Sequence, residues 1–514
     1  MPETQTKSSP GPKAVSDRPV GTDAASGRPT EQENGSKEHS RLTGESNHVQ
    51  LEDGSRVAVI GGGPAGSFFS YFLLTMADRI GMRLELDIYE SRDFSALGPA
   101  GCNMCGGIIS ESLVQTLAIE GIAIPPSVVQ RGIDSYLLHM DVGSVRIETP
   151  DQEKRIGAVY RGAGPRGTTE RKWQSFDGFL LDLAQEKGAR LVGSRVTEVR
   201  WENGRPWVKT KDGLSAACDL LAVSAGVNSP LLKQLQELGI GYRLPETTKT
   251  YICEYGLGEQ TIGDTLGSSM HTFLLHLPRL EFAAIIPKGD FATLCMLGEE
   301  IDKELVQAFL SRPEVKDRFP SGWNLQDPSC RCSPAMNVGA ADRPFADRIV
   351  FFGDSGVSRL YKDGIGAAYR TSKAAAQTAV LEGISSAAFE KHYWPVCRKT
   401  HRDNSIGKLI FRFVGVIQRV KPARRAVLRM VEREQRRAKS ARRMSTVLWD
   451  MFTGSAPYGD IFVRTLHPFF ILGLVWNLMI SVWPAKKISS RRRVDGNRRI
   501  GKGILRRRSH HPPG

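Results

Sequence analysis

Arg56-Val-Ala-Val-Ile-Gly-Gly-Gly-Pro-Ala-Gly66 is the stretch from which the fold can be read. Its first five residues, Arg56–Ile60, contain an apolar run of the kind that forms a buried parallel strand. Gly61, Gly63 and Gly66 then fall in the spacing Gly-x-Gly-x-x-Gly. The first glycine permits a tight turn into a helix. The second lets a pyrophosphate approach the backbone, and the third lets the helix pack against the strand. Pro64 and Ala65 open that helix, expected over Ala65–Met76, whose free N–H groups and positive end suit phosphate oxygens. Leu84–Tyr89 reads as the next strand. Glu90 closes it 24 residues after Gly66, near the ~20 usual for an acid that binds a ribose hydroxyl.

A second stretch points to the same kind of ligand. Arg348–Phe352 reads as a strand that runs into Gly353-Asp354. Gly364-Ile365-Gly366 follows, opening a small-residue helix over Ala367–Ala379 and on toward Leu381. An aspartate at a strand end accepts hydrogen bonds from sugar-like hydroxyls, and a glycine-rich helix start offers N–H donors to an anion. Together they suit the ribityl chain and pyrimidine edge of a flavin, where negative charge collects on reduction.

On these motifs the sequence resembles the FAD-dependent geranylgeranyl reductase family, within the larger group of flavoproteins built like para-hydroxybenzoate hydroxylase. The resemblance spans about residues 56–385. Gly61–Glu90 matches the FAD fingerprint, and Gly353-Asp354 through Gly366 matches the Gly-Asp motif. Pro99-Ala-Gly-Cys-Asn-Met-Cys105-Gly106-Gly107 is similar to the family's Pro-x-x-Cys-Gly-Gly segment. The resemblance implies that Cys105, Gly106 and Gly107 lie beside the isoalloxazine, with Cys105 the candidate active-site cysteine. It also implies reduction of carbon–carbon double bonds in an isoprenoid or lipid-like substrate, with NAD(P)H or ferredoxin as alternative electron donors. Two departures stand out. The family's Ala-Asp-Gly is Ser224-Ala225-Gly226 here, without the acid. Its aromatic lipid-pocket motif is reduced to Phe282-Ala-Ala284-Ile-Ile286-Pro287, from which Phe282, Ile286 and Pro287 are the expected substrate-pocket residues. A flavin monooxygenase or halogenase of the same fold, and a non-catalytic membrane-docked redox flavoprotein, stay open beside the reductase.

The expected fold class is therefore α/β. It comprises a Rossmann-type FAD-binding domain over 55–385, a β-rich substrate sheet inserted at about 131–170 and 243–335, and a basic helical region over 386–485. Thr272–Leu277 and Leu280–Ile286 are strands of that insert. Residues 1–54 are rich in Ser, Gly, Pro, Glu and Lys, and together with 486–514 are expected to be disordered. Gly162-Ala-Gly164-Pro-Arg-Gly167 repeats the glycine spacing, but Thr168–Lys172 has no apolar period for a packed helix. It reads as a loop, leaving no second nucleotide fold for NAD(P)H.

Eight cysteines in 514 residues do not make a disulfide scaffold. The closest pairs, Cys102/Cys105 and Cys330/Cys332, allow three readings: buried small hydrophobes, a redox disulfide, or four thiolates on a metal. No metal is expected. Asp177 is the expected N-cap of a helix over Phe179–Glu186. His271 and His276 sit on one expected strand, on opposite faces and mainly solvated.

Charge divides the chain. Residues 391–514 hold 29 Lys/Arg against six Asp/Glu, while the rest holds 41 against 49. Phe469–Trp483 is an uncharged apolar run carrying Trp476 and Trp483, and Lys486, Lys487 and Arg491–Arg493 follow it. That run is shorter than the ~20 residues needed to cross a bilayer. The expected partner of this region is therefore an anionic membrane surface, with no nucleic acid, beside the apolar small-molecule or lipid substrate that the resemblance implies. The absence of a leader-like segment at the N-terminus fits a cytoplasmic protein peripheral to the membrane.

Overall fold

A parallel sheet forms around Arg56–Ile60, in the order Phe345–Ala346, Ile349–Phe351, Leu220–Val223, Arg56–Ile60, Glu85–Tyr89, Arg190–Val192. Only the two-residue edge strand Phe345–Ala346 runs antiparallel. The computed structural model describes residues 49–482, apart from Asn103, 151–154 and 169–172. Leu220–Val223 is buried at every position because helices cover one face of the sheet and a three-stranded meander, Val196–Glu202, Arg205–Thr210 and Ser215–Ala217, lies against the other. The helix Pro64–Arg79 packs along the helix Gly364–Leu381, with Phe69 stacked on Phe352 at 4.8 Å and Phe68 edge-on to Tyr369.

A second, seven-stranded sheet is built from 135–148 and 251–332. Its order is Cys330–Cys332, Tyr251–Gly256, Phe291–Gly298, Leu280–Lys288, Ser269–Phe273, Ser135–Met140, Gly143–Glu148. Directly opposed residues share a face. Cys332, Ile252, Cys295, Ala284 and Thr272 therefore form one row across five strands. The helices Trp394–Arg419, Lys421–Gln435 and Arg443–Thr453 pack against this same sheet in one continuous apolar core with Tyr136, Phe282 and Trp449.

Several local expectations change. The chain is already ordered at residue 49: the Val49 carbonyl accepts the Ile384 N–H at 2.7 Å, and Leu51 is buried. Residues 1–48, 483–514 and Arg171–Lys172 lie outside the described residues. Ser175, not Asp177, caps the helix Phe176–Glu186, accepting the Gly178 N–H at 3.0 Å. Asp177 instead turns inward to pair with Arg161. His271 is buried rather than solvated: its Nδ1 lies 3.0 Å from Nε2 of His139, and burial drives both imidazoles below their ordinary pKa. The strand stops at Phe273, so His276 lies beyond it and is exposed.

Candidate active site

The two sheets face each other across a cleft of about 270 Å³. On the parallel-sheet side, the loop after Arg56–Ile60 supplies Gly61, Gly63, Pro64 and Ala65. Gly61 has φ +100°, and a Cβ there would come within 2.6 Å of the Ser224 carbonyl. Only glycine suits both conditions. Gly66 is tighter still, since a Cβ would stand 1.9 Å from the Gly61 oxygen. It packs helix to strand and does not line the cleft. Glu90 does line it, and its carboxylate accepts the backbone N–H groups of Gly62 at 3.1 Å and Arg92 at 2.8 Å. Ser224, the residue before Ala225 where the resemblance would place the acid, donates its hydroxyl to the carbonyls of Ile60 and Gly61. It secures the glycine loop.

Asp354, Gly364 and Ile365 reach the cleft from the second motif, whereas Gly353 and Gly366 are structural. Gly353 donates to Thr371 at 3.1 Å and leaves no room for a Cβ beside Ala65. Gly366 leaves none beside the Asp363 carboxylate, which is paired with Arg370. The first intrahelical bond at this helix start is Ala367 N–H to Asp363. The amides of Gly364 and Ile365 therefore carry no helical partner and open on the cleft. The Cys105–Gly106–Gly107 segment crosses the middle. Its geometry is as tight: a Cβ on Gly107 would meet the Val159 carbonyl at 2.0 Å, and one on Gly106 would meet Cys295 Sγ at 2.9 Å.

The opposite wall is apolar. Ile252, Ala284, Ile286, Cys295, Leu297 and Met336 form it. Of the three expected pocket residues, Ile286 is there. Phe282 is on the same sheet face but lies outside the cleft lining, beneath the rings of Tyr361, Phe411 and Phe452. Pro287, one residue out of phase with Ile286, points to the other face. The strand alternation that selects Ala284 and Ile286 was visible in the sequence; their partners on neighbouring strands were not.

Four cationic groups missed in the sequence also line the cleft: Arg92, Arg161, Arg359 and Lys362. Arg161 forms a buried pair with Asp177, Nη2 to Oδ2 at 3.0 Å. Burial alone would lower its pKa, but Asp177 and then Cys105 outweigh that and hold it above its usual range. Arg359 donates to the carbonyls of Gly454 and Ala456, tying the C-terminal helices to the cleft, where Thr453 also stands. Lys362 Nζ sits 4.6 Å from the Phe282 ring centre and opens on the cleft; burial draws its pKa down to about 8, partly offset by Cys295 and Cys105.

Beside the cleft, a small chamber of about 40 Å³ is lined by Cys102, Cys105, Cys330 and Cys332, with Glu254 and Lys288. The fold thus brings both cysteine pairs to one place. All eight cysteines are free, and no group of three ligands among the described residues is arranged to hold a metal ion.

No protein-family model and no curated protein matches the sequence. Solved structures do match. A flavoprotein/dehydrogenase from Cytophaga hutchinsonii superposes with a TM-score of 0.56 at 13% identity, covering 83% of this chain and 99% of that one. A mutant of the halogenase PltM in complex with FAD gives 0.52 at 12% identity, over 84% and 91%. The peptidyl tryptophan dihydroxylase QhpG gives 0.51 at 15% identity, over 72% and 77%. The chain has the fold of these flavoproteins.

Proposed function

We propose that the chain is an FAD-dependent oxidoreductase acting on an apolar small molecule or lipid, and that it reduces carbon–carbon double bonds of an isoprenoid-like substrate. The observation that carries this reading is a single cleft with two unlike walls. One wall offers glycine-loop backbone, an acid after the second strand and open helix-start amides, and the other is a row of apolar side chains. The residues present fit FAD. The Gly61–Ala65 loop suits its diphosphate, Glu90 its ribose, Asp354 its sugar-alcohol chain, and the Gly364 and Ile365 amides its negatively charged edge. Bound FAD supplies two-electron transfer.

The chain's own part is positioning and proton supply. Ile252, Ala284, Ile286 and Leu297 hold an apolar substrate and exclude water, which strengthens each polar contact in the cleft. Saturating an alkene also requires a proton, and Lys362 Nζ is a cleft-lining group whose pKa lies near working pH. Because the protonated form is the donor, turnover should fall as pH rises through about 8. Lys362→Met should lose turnover and this descending limb together. Removing the desolvated ammonium should also stabilise the fold below pH 8 by up to about 3 kcal/mol. That gain should shrink between pH 8 and the ordinary lysine pKa of 10.5, because there the folded wild type is already neutral while the unfolded chain still binds the proton. Rate profiles and denaturant melts taken on both sides of about 8 and of 10.5 check both limbs.

The direct test is to purify the protein, record its visible spectrum, reduce it without oxygen and offer geranylgeranyl lipids. A flavin spectrum and a mass gain of two hydrogens per double bond are expected. A second reading, an oxygen-using monooxygenase or halogenase, is supported by neighbours that include PltM and the flavin-dependent brominase Bmp2, the latter at TM-score 0.50 and 16% identity. Products that gain oxygen or halogen in air would select it.

A further inference from the structure

We propose that the outward face of the helix Pro468–Ser481 is a docking surface for an anionic lipid bilayer. The polarity of this helix is inverted. Its two hydrogen-bonding polar side chains, Asn477 and Ser481, are buried, at 4% and 0% exposure. Both are held by arginines of the helix beneath: Arg433 donates to Asn477 at 2.9 Å, and Arg429 to the Ile480 carbonyl and Ser481 hydroxyl at 2.9 and 3.2 Å. Phe470 packs inward, and Gly473 lets the helix settle over Met430. The residues left outside include Phe469, Leu472, Val475, Trp476, Met479 and, just past the helix, Val482; Phe469 is 66% exposed and Trp476 59%. A helix seated on water would turn the other way, with its polar residues out. Contiguous apolar exposure of this kind marks a contact surface.

Charge selects lipid over a second copy of the chain. This face belongs to the segment 391–514, with 29 Lys/Arg against six Asp/Glu, and Arg443 stands 5.4 Å from the Phe469 ring at the edge of the patch. Two copies joined here would bring two such cationic regions together. Anionic headgroups would instead be attracted to one. Length sets the depth: no single helix among the described residues is long and apolar enough to cross a membrane, and Tyr458–Thr465 with Pro468–Ser481 reaches that length and hydropathy only as a pair bent by 66°. At 1.5 Å per residue these 14 residues span about 21 Å, against a hydrocarbon core of about 30 Å. The helix therefore lies in the interface, the level at which tryptophan is favoured. This inference does not rest on the reaction, since it uses no cleft residue.

The experiment is flotation of the full-length protein with phosphatidylcholine vesicles, with and without phosphatidylglycerol, at low and high salt. Binding is expected to be at least about tenfold tighter to the anionic vesicles and to weaken with salt. The double variant Leu472→Glu/Trp476→Glu is expected to lose it. In the unaltered chain, brominated lipids should quench more tryptophan emission than in Trp476→Phe, a change that keeps the fold. Absence of vesicle binding, equal quenching in the two proteins, or a wild-type dimer that the double variant converts to monomer would each overturn the proposal.

Discussion

Gly66→Ala is expected to abolish flavin uptake while leaving most of the chain folded. The added Cβ would stand 1.9 Å from the Gly61 carbonyl and 2.8 Å from Ser224 Oγ. Neither neighbour can yield cheaply. The Gly61 N–H is bonded to the Tyr89 carbonyl at 2.9 Å, its oxygen accepts the Ser224 hydroxyl at 2.9 Å, and its φ of +100° is already a glycine conformation. The helix must therefore slide outward, carrying Pro64 and Ala65 away from the cleft. Displacement by about an ångström commonly lowers function by roughly a hundredfold, so flavin affinity should fall at least that far by absorbance titration. Gly415→Ala is the control. It lies in the helix Trp394–Arg419 with nothing within 4 Å of its added Cβ, so it should bind flavin normally and gain about 0.5–1 kcal/mol of stability. Wild-type flavin affinity in Gly66→Ala would remove the Gly61–Gly66 loop from the binding site.

What was legible in the sequence was what short-range rules encode. The strand–glycine–helix unit at 56–79 can be read because each glycine answers a local demand, φ, approach or packing, that its neighbours already define. The same holds for Gly353–Gly366, although only the fold shows that Gly353 and Gly366 allow close packing against Ala65 and the Asp363 carboxylate while Gly364 and Ile365 face the cleft. Phe282 and Pro287 were misplaced for a different reason. Strand alternation tells which residues share a face, but not where along that face the overlying Tyr361 and Phe411 close it. The apolar row Cys332–Ile252–Cys295–Ala284 comes from four strands whose register no local pattern records. Lys362 and Thr453 are beyond such reading altogether, since one is a lysine in a loop and the other ends a helix that sequence assigns to a separate region. Asp177 has the residue type and position of a helix cap, and Ser175 two residues earlier has them too. The choice between them is made by Arg161, sixteen residues upstream in the chain.

That choice has a large energetic consequence. Asp177→Ala is expected to destabilise the protein by about 3–5 kcal/mol, because it leaves the Arg161 guanidinium buried without its carboxylate. The Asp177 side chain is wholly buried and that of Arg161 is 10% exposed, so water cannot replace the lost partner without opening the core. The helix start itself should survive, since Ser175 still accepts from Gly178 and donates to the Arg161 carbonyl at 2.7 Å. Ser175→Ala should therefore cost only the ~1 kcal/mol of an ordinary cap. Removing both charges together, as Arg161→Met/Asp177→Leu, should recover much of the stability lost in Asp177→Ala, because an apolar pair of similar volume escapes the desolvation penalty that the ion pair must offset. The cleft should not recover with it. Arg161 lines the cleft beside Cys105, so the double variant should melt near the wild type yet bind flavin more weakly. Denaturant melts and flavin titrations on the four proteins separate the two roles; a double variant no more stable than Asp177→Ala would show that the pair matters for its charge rather than for filling the core.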